Sequence, residues 1–354
     1  MARLLTILLI TAAAVLVAGF VALRTPAVQD RLFDAALEKA MTGPGARIFE
    51  GDGLKVFFCG TGSPLPSARR AQNCTAVIAG DRFFIIDAGS GSFETVQAAS
   101  ISASRLAGVF LTHFHSDHIG DLSEINLGSW VTARPAPLPV YGPEGVERVV
   151  AGENEAFALD AGYRIAHHGK GVAPLRSKGM VARPFDGSAP AVVLEEGGLK
   201  VTAFPVKHDP VDPAVGYRFD YQGRSVVISG DTAYSENLIA AANGADVLIH
   251  EAQANHMVAK MERAAAAAGN ATLAKIFSDI PDYHTTPEEA ARAANEAGAK
   301  WLVLSHLTPA PDNAIARRIF MRGVGKVRPS GVKLAEDRML ITLPEAGGAE
   351  FGSL

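Results

Sequence analysis

Four short apolar segments of the sequence each lead into a residue that can bind a metal ion. The segments are 108–112, 225–229, 246–249 and 301–305, and the residues that follow are His113, Asp231 after Gly230, His250-Glu251, and His306. Such aliphatic, β-branched runs are typical of strands buried on both faces. Because α/β proteins bind ligands where their strands end, the four ends indicate one shared site. The sequence therefore predicts an α/β fold with its site at one edge of the sheet.

The first segment leads into a dense cluster, His113-Phe-His115-Ser-Asp117-His118. In a turn after a strand, His113 and His115 can face one metal ion, while Asp117 and His118 face a second ion beside it. Imidazole and carboxylate groups suit Zn²⁺, with Mn²⁺ or Fe as alternatives. Because the chain has only 10 histidines, such clustering indicates a metal site rather than chance.

This cluster resembles the HxHxDH signature of the metallo-β-lactamase-fold hydrolases, and the resemblance runs from Leu54 to about Leu343. It implies an αββα sandwich, in which two mixed sheets are flanked by helices, and two Zn²⁺ ions. All seven ligand positions of the family are matched in order. The resemblance implies that His113, His115 and His208 hold one ion, that Asp117, His118 and His306 hold the other, and that Asp231 bridges them.

Further motifs are similar to the ribonuclease Z and arylsulfatase-like branch of that family. They are Gly60-Thr-Gly62 with Arg69 and Arg70, the segment 215–218, the segment 250–252, and the segment 284–290. The resemblance implies a dinuclear hydrolase in which a hydroxide between the ions cleaves phosphodiester-type bonds. It also implies that His284 assists catalysis, and the predicted catalytic residues are Asp117, His284 and Glu251.

The sequence around His284 supports a catalytic role independently. Thr286 and Glu289 have the spacing of a capping box, and Pro287 suits the first helical position, so a helix is expected over 288–297. A histidine just before a helix N-terminus lies where an anion is attracted. We expect Glu251 to orient His284 or a metal ligand. The alternatives are a histidine that only packs there and a carboxylate at the surface.

The N-terminus predicts a membrane segment. Residues 4–23 carry no charge, and as a helix they would span about 30 Å, the thickness of the hydrocarbon core of a bilayer. We interpret residues 1–24 as an uncleaved anchor, with a signal peptide as the alternative, and place the body of the chain outside the cytoplasm. A stalk or linker over 25–53, a hydrolase domain over 54–343 and a tail over 344–354 complete the expected organisation.

The charge balance bears on the substrate. There are 33 Lys and Arg against 37 Asp and Glu, a net charge of −4, whereas proteins that bind a nucleic-acid backbone usually carry a basic excess. A small anionic ester is therefore the expected substrate, nucleic acid is not favoured, and a homodimer stays open. An exported arylsulfatase and a non-catalytic metal-binding protein are the alternative functions. Cys59 and Cys74 are equally consistent with a disulfide and with two buried thiols.

Overall fold

Two mixed β-sheets form the centre of the protein in the computed structural model, which describes residues 2–41 and 44–354. The strands are β1 (Leu54–Gly60), β2 (Cys74–Ala79), β3 (Arg82–Ile86), β4 (Leu106–Phe110), β5 (Leu138–Pro143), β6 (Met180–Phe185), β7 (Ala191–Glu196), β8 (Leu199–Pro205), β9 (Val215–Tyr221), β10 (Arg224–Ile228), β11 (Val247–Gln253), β12 (Trp301–Thr308), β13 (Val332–Leu334), β14 (Met339–Leu343) and β15 (Glu350–Ser353). One sheet has the order β15-β14-β1-β2-β3-β4-β5-β6, and the other has the order β13-β12-β11-β10-β9-β8-β7. The predicted metallo-β-lactamase-like sandwich is confirmed.

Helices precede the first strand and flank the two sheets. They are α1 (Ala2–Ala22), α2 (Pro26–Met41), α3 (Ser92–Ala98), α4 (Ser116–Ile119), α5 (Leu122–Val131), α6 (Val146–Ala156), α7 (Ala158–Val172), α8 (Glu236–Ala241), α9 (Asn255–Ala267), α10 (Ala271–Asp279), α11 (Pro287–Glu296), α12 (Ala314–Phe320) and α13 (Val324–Val327). Short 3-10 turns lie at Pro44–Phe49, Ala103–Arg105, Leu175–Ser177 and Ile280–Asp282. The helix predicted over 288–297 is α11, and its capping box between Thr286 and Glu289 is present.

Aromatic side chains fill the core between the sheets. Phe110 stacks on Tyr141 with ring centroids 4.6 Å apart, and it meets Tyr217 and Phe219 edge-on at 5.3 and 5.6 Å. Such offset and edge-on pairs add about 0.5–1.5 kcal/mol each beyond the area that they bury. Because Phe110 is the last residue of β4, this packing fixes the strand end from which the histidine cluster starts.

Parallel pairing brings the predicted ligands to one edge. Strands β3 to β6 pair in parallel in one sheet, and β10 to β13 do so in the other. The carboxyl ends of parallel strands lie at the same edge of each sheet. A hydrogen bond from the Val215 amide of β9 to the Thr112 carbonyl oxygen, at 3.0 Å, joins the segment after β4 to the strand that pairs with β10.

The N-terminal residues form two helices, α1 and α2. The span Arg3–Ala22 is apolar enough to cross a membrane, with a mean hydropathy of 2.7. Residues 42 and 43 of the predicted linker lie outside the described residues. Only the end of that linker differs from expectation, because Ile48 is buried and its carbonyl accepts a hydrogen bond from Lys55 Nζ at 2.9 Å. The folded domain therefore begins before Leu54.

The C-terminus also differs from the predicted tail. Strand β15 pairs antiparallel with β14, from Met339 opposite Ser353 to Thr342 opposite Glu350. The phenyl ring of Phe351 lies 4.7 Å from the indole of Trp301, which belongs to the other sheet. Residues 350–353 thus extend one sheet and pack against the second.

Cys59 and Cys74 form a disulfide. It joins the end of β1 to the start of β2 and closes the loop that carries Arg69 and Arg70, with a sequence separation of 15 residues. Both sulfur-bearing residues are fully buried. The alternative of two free thiols is therefore not the arrangement in the structure.

Candidate metal centre

The seven predicted ligands lie together at the edge of the sandwich. Those of the first predicted subsite (His113, His115, His208 and Asp231) have ligand atoms within 4.8 Å of one another, and so do Asp117, His118 and His306 of the second. Asp231 Oδ2 is the shared atom, because it lies 3.3 to 4.0 Å from Nε2 of four histidines: His113, His118, His208 and His306. The geometry therefore offers two adjacent cation subsites with one carboxylate between them.

His306 reaches the site through an irregularity in its strand. The sequence predicted that β12 would stop before His306, whereas the strand continues to Thr308. The pairing with β11 shifts at this point, so that Ser305 pairs with Glu251 and Leu307 with the next residue, and His306 has a φ of 46°. An extra residue of this kind is a β-bulge, which re-aims a side chain. The bulge turns the His306 imidazole towards Asp117, with Nε2 3.1 Å from Oδ2.

Four histidines turn Nε2 towards Asp231, and in three of them the other ring nitrogen, Nδ1, has a hydrogen-bond partner. Nδ1 of His113 lies 3.0 Å from Thr112 Oγ1, Nδ1 of His118 lies 2.8 Å from Asp87 Oδ2, and Nδ1 of His208 lies 3.2 Å from the Tyr283 carbonyl oxygen. A metal-binding histidine usually donates its second N–H in this way, which fixes the tautomer and the ring orientation. The contacts are therefore those expected around a metal centre.

Asp87 is the residue that the sequence analysis missed. It is completely buried, follows β3 directly and accepts hydrogen bonds from Asn73, from the Thr112 amide and hydroxyl, and from His118. The signal was present, because β3 is another apolar run that ends at a carboxylate. Asp87 orients His118 and the backbone that leads into the histidine cluster.

Electrostatics divide the two subsites. Burial lowers the pKa of His113 and His208, so these imidazoles are neutral. Burial would also lower the pKa of His118 and His306, but Asp231 and neighbouring carboxylates raise both. A metal ion that binds at the second subsite must therefore displace protons from His118 and His306, whereas His113 and His208 of the first subsite are already neutral.

The carboxylates remain ionised despite their surroundings. Burial would raise the pKa of Asp117 and Asp231, but the histidines around them lower both pKa values. In addition, Nε2 of His118 is buried and has no hydrogen-bond partner among the residues that the structure describes. A cluster of buried imidazole and carboxylate groups, with a ligand atom that no protein group satisfies, fits a divalent metal such as Zn²⁺.

His284 and Glu251 form a pair beside the second subsite. His284 Nδ1 lies 2.9 Å from Glu251 Oε1, which also accepts from the amides of Thr285 and Thr232 at 3.1 and 3.2 Å. Glu251 is 3% exposed, so it is not the surface carboxylate considered as the alternative. Burial would lower the pKa of His284, but Glu251 raises it to about 9. A ring nitrogen of His284 lies within 4.8 Å of ligand atoms of Asp231 and His306.

Comparison with known proteins agrees with this geometry. The family model of the beta-lactamase superfamily domain matches residues 82–307. Ribonuclease Z of Mycobacterium bovis is 38% identical over 260 residues, which cover 73% of this chain and 87% of that protein. The chain belongs to the ribonuclease Z family. This confirms the resemblance inferred from the motifs, and it favours ribonuclease Z over the arylsulfatase alternative.

Two further relatives place this ribonuclease Z family member in context. Ribonuclease Z of Mycobacterium avium is also 38% identical, over the same shares of the two chains. The crystal structure of the short form of human tRNase Z superposes with a TM-score of 0.60 at 22% identity, covering 82% of this chain and 99% of that one. At that identity the structural likeness shows the shared fold.

Proposed function

We propose that this protein is a metal-dependent phosphodiesterase that uses His284 as its acid. The observation that carries the proposal is the His284–Glu251 pair, which lies directly beside two adjacent cation subsites. A protein that only binds metal would not need a buried carboxylate to keep a half-buried histidine protonated. The complete ligand set and this pair together favour an enzyme over a binding protein.

The seven ligands would hold two ions, for which we propose Zn²⁺, with Mn²⁺ or Fe as alternatives. When bound, such a pair supplies an activated water and Lewis-acid stabilisation of the attacked phosphate. Asp231 would set the spacing of the ions because its Oδ2 faces both groups. Asp117 would hold the second ion, with His118 and His306 turned towards it.

His284 would provide the proton for the leaving oxygen. Its pKa of about 9 keeps the imidazole charged at neutral pH, and the hydrogen bond to Glu251 fixes the ring with Nδ1 pointing away from the substrate. The remaining ring nitrogen is then the one available to the substrate. Proton transfer by a positioned histidine typically contributes about 10²–10⁴-fold in rate.

The surroundings of the site support a small anionic ester as the substrate. A cavity of about 500 Å³ is lined by four carboxylates, namely Glu144, Glu147, Asp186 and Asp212. It adjoins the loop that follows His208, since Asp212 lies in that loop. Acidic groups here would repel a long phosphate backbone on this side. RNA, the substrate class that the relatives' names indicate, is therefore the second candidate.

We propose that α1 anchors the protein and that the catalytic domain lies outside the cytoplasm. The support is the hydropathy of Arg3–Ala22 and the Cys59–Cys74 disulfide, because disulfides persist in oxidising compartments. A cleaved signal peptide would be compatible with the same observations. A homodimer remains a prediction.

Turnover by the full chain in detergent, loaded with Zn²⁺, tests the function. We expect bis(p-nitrophenyl) phosphate to be cleaved faster than p-nitrophenyl sulfate, and His284→Asn to lose about 10²–10⁴-fold of that rate. His168→Asn is the matched control because His168 is exposed on α7. Faster sulfate hydrolysis, or full activity of His284→Asn, would refute the proposal. Inhibition of diester cleavage by a structured precursor RNA would identify RNA as the substrate class.

A further inference from the structure

One of the candidate ligands lacks the support that the others have. Four histidines turn Nε2 towards Asp231, and three of them place Nδ1 against a hydroxyl, a carboxylate or a carbonyl oxygen. The exception is His306, whose Nδ1 is buried without a hydrogen-bond partner in the part of the chain that the structure describes. A ligand histidine whose second nitrogen is unsupported would be free to rotate.

Three more buried polar atoms without a hydrogen-bond partner lie near His306. Glu251 Oε2, Ser305 Oγ and Asp231 Oδ1 are buried, and no partner for them is found in residues 2–41 and 44–354. Together with His306, these residues line one small cavity between the sheets. Every residue of its lining is buried.

The cavity has the size and the chemistry of a water site. Its volume is about 10 Å³, which matches the space that the centre of a single water molecule needs. A buried polar atom without a partner destabilises the folded protein, so four such atoms around one cavity indicate a shared partner. A water molecule can accept from the N–H of His306 and donate to Glu251 and Asp231, whereas a cation could not accept from an N–H.

We propose that one ordered water molecule fills this cavity and supports His306 as Asp87 supports His118. Glu251 is then a positioning residue for the second metal subsite, and Ser305 lines the cavity that the water occupies. The inference rests on the metal centre of the proposed function. Glu251 has a double role in this arrangement, because Oε1 holds His284 and Oε2 binds the water that holds His306. The proposed acid and a metal ligand are thereby oriented by the same carboxylate.

A crystal structure of the metal-loaded full chain at high resolution tests the proposal directly. We expect a single peak of electron density within hydrogen-bond distance of both His306 Nδ1 and Glu251 Oε2. A direct contact between His306 Nδ1 and a protein atom, or a cavity without density, would overturn the proposal. This result does not depend on the substrate, so it can fail while phosphodiester turnover is confirmed, and the reverse.

The affinity of the second metal ion gives an independent readout. Ser305→Val removes the hydroxyl and fills the cavity with a methyl group, and we expect it to weaken the second ion about 10–100-fold in competition with a chelator. Thr308→Val is the matched control, since Thr308 lies on the same strand and is buried with an orphaned hydroxyl but does not line the cavity. We expect the control to bind both ions as the wild type does.

The variant Ser305→Ala distinguishes the effect of losing the water from the effect of losing the Ser305 hydroxyl. It leaves room for the water, so the second-ion affinity should stay within about threefold of the wild type, well short of the 10–100-fold loss typical of disrupted outer-shell contacts. The absorption spectrum of the Co²⁺-loaded protein should change in Ser305→Val alone, because only there does the His306 ring lose its support. Equal second-ion affinity in the wild type and Ser305→Val would refute the inference. If Ser305→Val does not fold, the density and the alanine variant decide.

Discussion

Replacing Asp87 with asparagine changes one atom in the most densely bonded carboxylate near the site. Oδ1 accepts from the Thr112 amide at 2.8 Å, and Oδ2 accepts from Asn73 Nδ2 at 2.9 Å and faces His118 Nδ1 at 2.8 Å. The Thr112 hydroxyl bonds to both oxygens. An asparagine has only one oxygen, so its NH₂ group must face a donor whichever way the amide is turned.

The cost follows from these contacts. The less costly orientation places the NH₂ group against the Thr112 amide, which orphans a buried backbone N–H at about 1–3 kcal/mol. The hydrogen bonds from Asn73 and His118 remain, but their acceptor is now a neutral amide oxygen, which weakens the two bonds by about 1 kcal/mol together. We therefore expect Asp87→Asn to lower the free energy of unfolding by about 3 kcal/mol. Weaker support for His118 should also reduce the affinity of the second metal ion about 10–100-fold.

Urea unfolding followed by circular dichroism measures the first effect, and chelator competition measures the second. Asp81→Asn is the control, because Asp81 lies at the other end of β3 and is exposed. Both measurements should leave Asp81→Asn at the wild-type value. If Asp87→Asn unfolds within about 1 kcal/mol of the wild type and binds both ions normally, Asp87 does not have the role assigned here.

Three further predictions concern protons and the disulfide. Because its pKa is about 9, His284 should stay protonated at neutral pH, so kcat should fall as the pH rises past that value, and this alkaline limb should be absent from the pH profile of His284→Asn. The pKa values of His118 and His306 are raised, so protons compete with the second metal ion for these side chains. As the pH is lowered from about 9 to about 6, the affinity of the second ion should therefore fall more steeply than the affinity of the first ion, as measured by chelator competition. Replacing both Cys59 and Cys74 with serine opens a loop of 15 residues. The free energy of unfolding in urea should fall by about 3 kcal/mol, and a reductant should not change it further in this variant.

The α/β class and part of the candidate site follow from local signals in the sequence, whereas the sandwich and the complete ligand set are implied by the family resemblance. A buried strand is an apolar run that stops at a polar residue, and this pattern identified the ends of β4 and β10 together with His113 and Asp231. The capping box that begins α11 is equally local, since Thr286 and Glu289 are three residues apart. The same rule applied to β3 would have identified Asp87.

Other features depend on contacts between distant residues, and no local pattern predicts them. The bulge at His306 arises from its pairing with β11, which lies about fifty residues earlier in the chain. The pairing of β15 with β14 and the contact between Lys55 and Ile48 likewise become visible only when the sheets are assembled. The proline and the two glycines in residues 344–349 are typical of a tail, and only the contact between Phe351 and Trp301 shows that the chain packs on the domain after them.

The distribution of charge around the centre indicates which molecules can reach it. The ionised carboxylates Asp117 and Asp231 are buried, whereas His115 lies at the surface, where partial desolvation of its ring lowers its pKa. His284, held positive by Glu251, lies just before α11, and the positive end of that helix dipole also favours an anion. The entrance thus attracts a negative group, and a cavity lined by four carboxylates adjoins the loop that follows His208. The single charge of the proposed diester substrate suits this entrance.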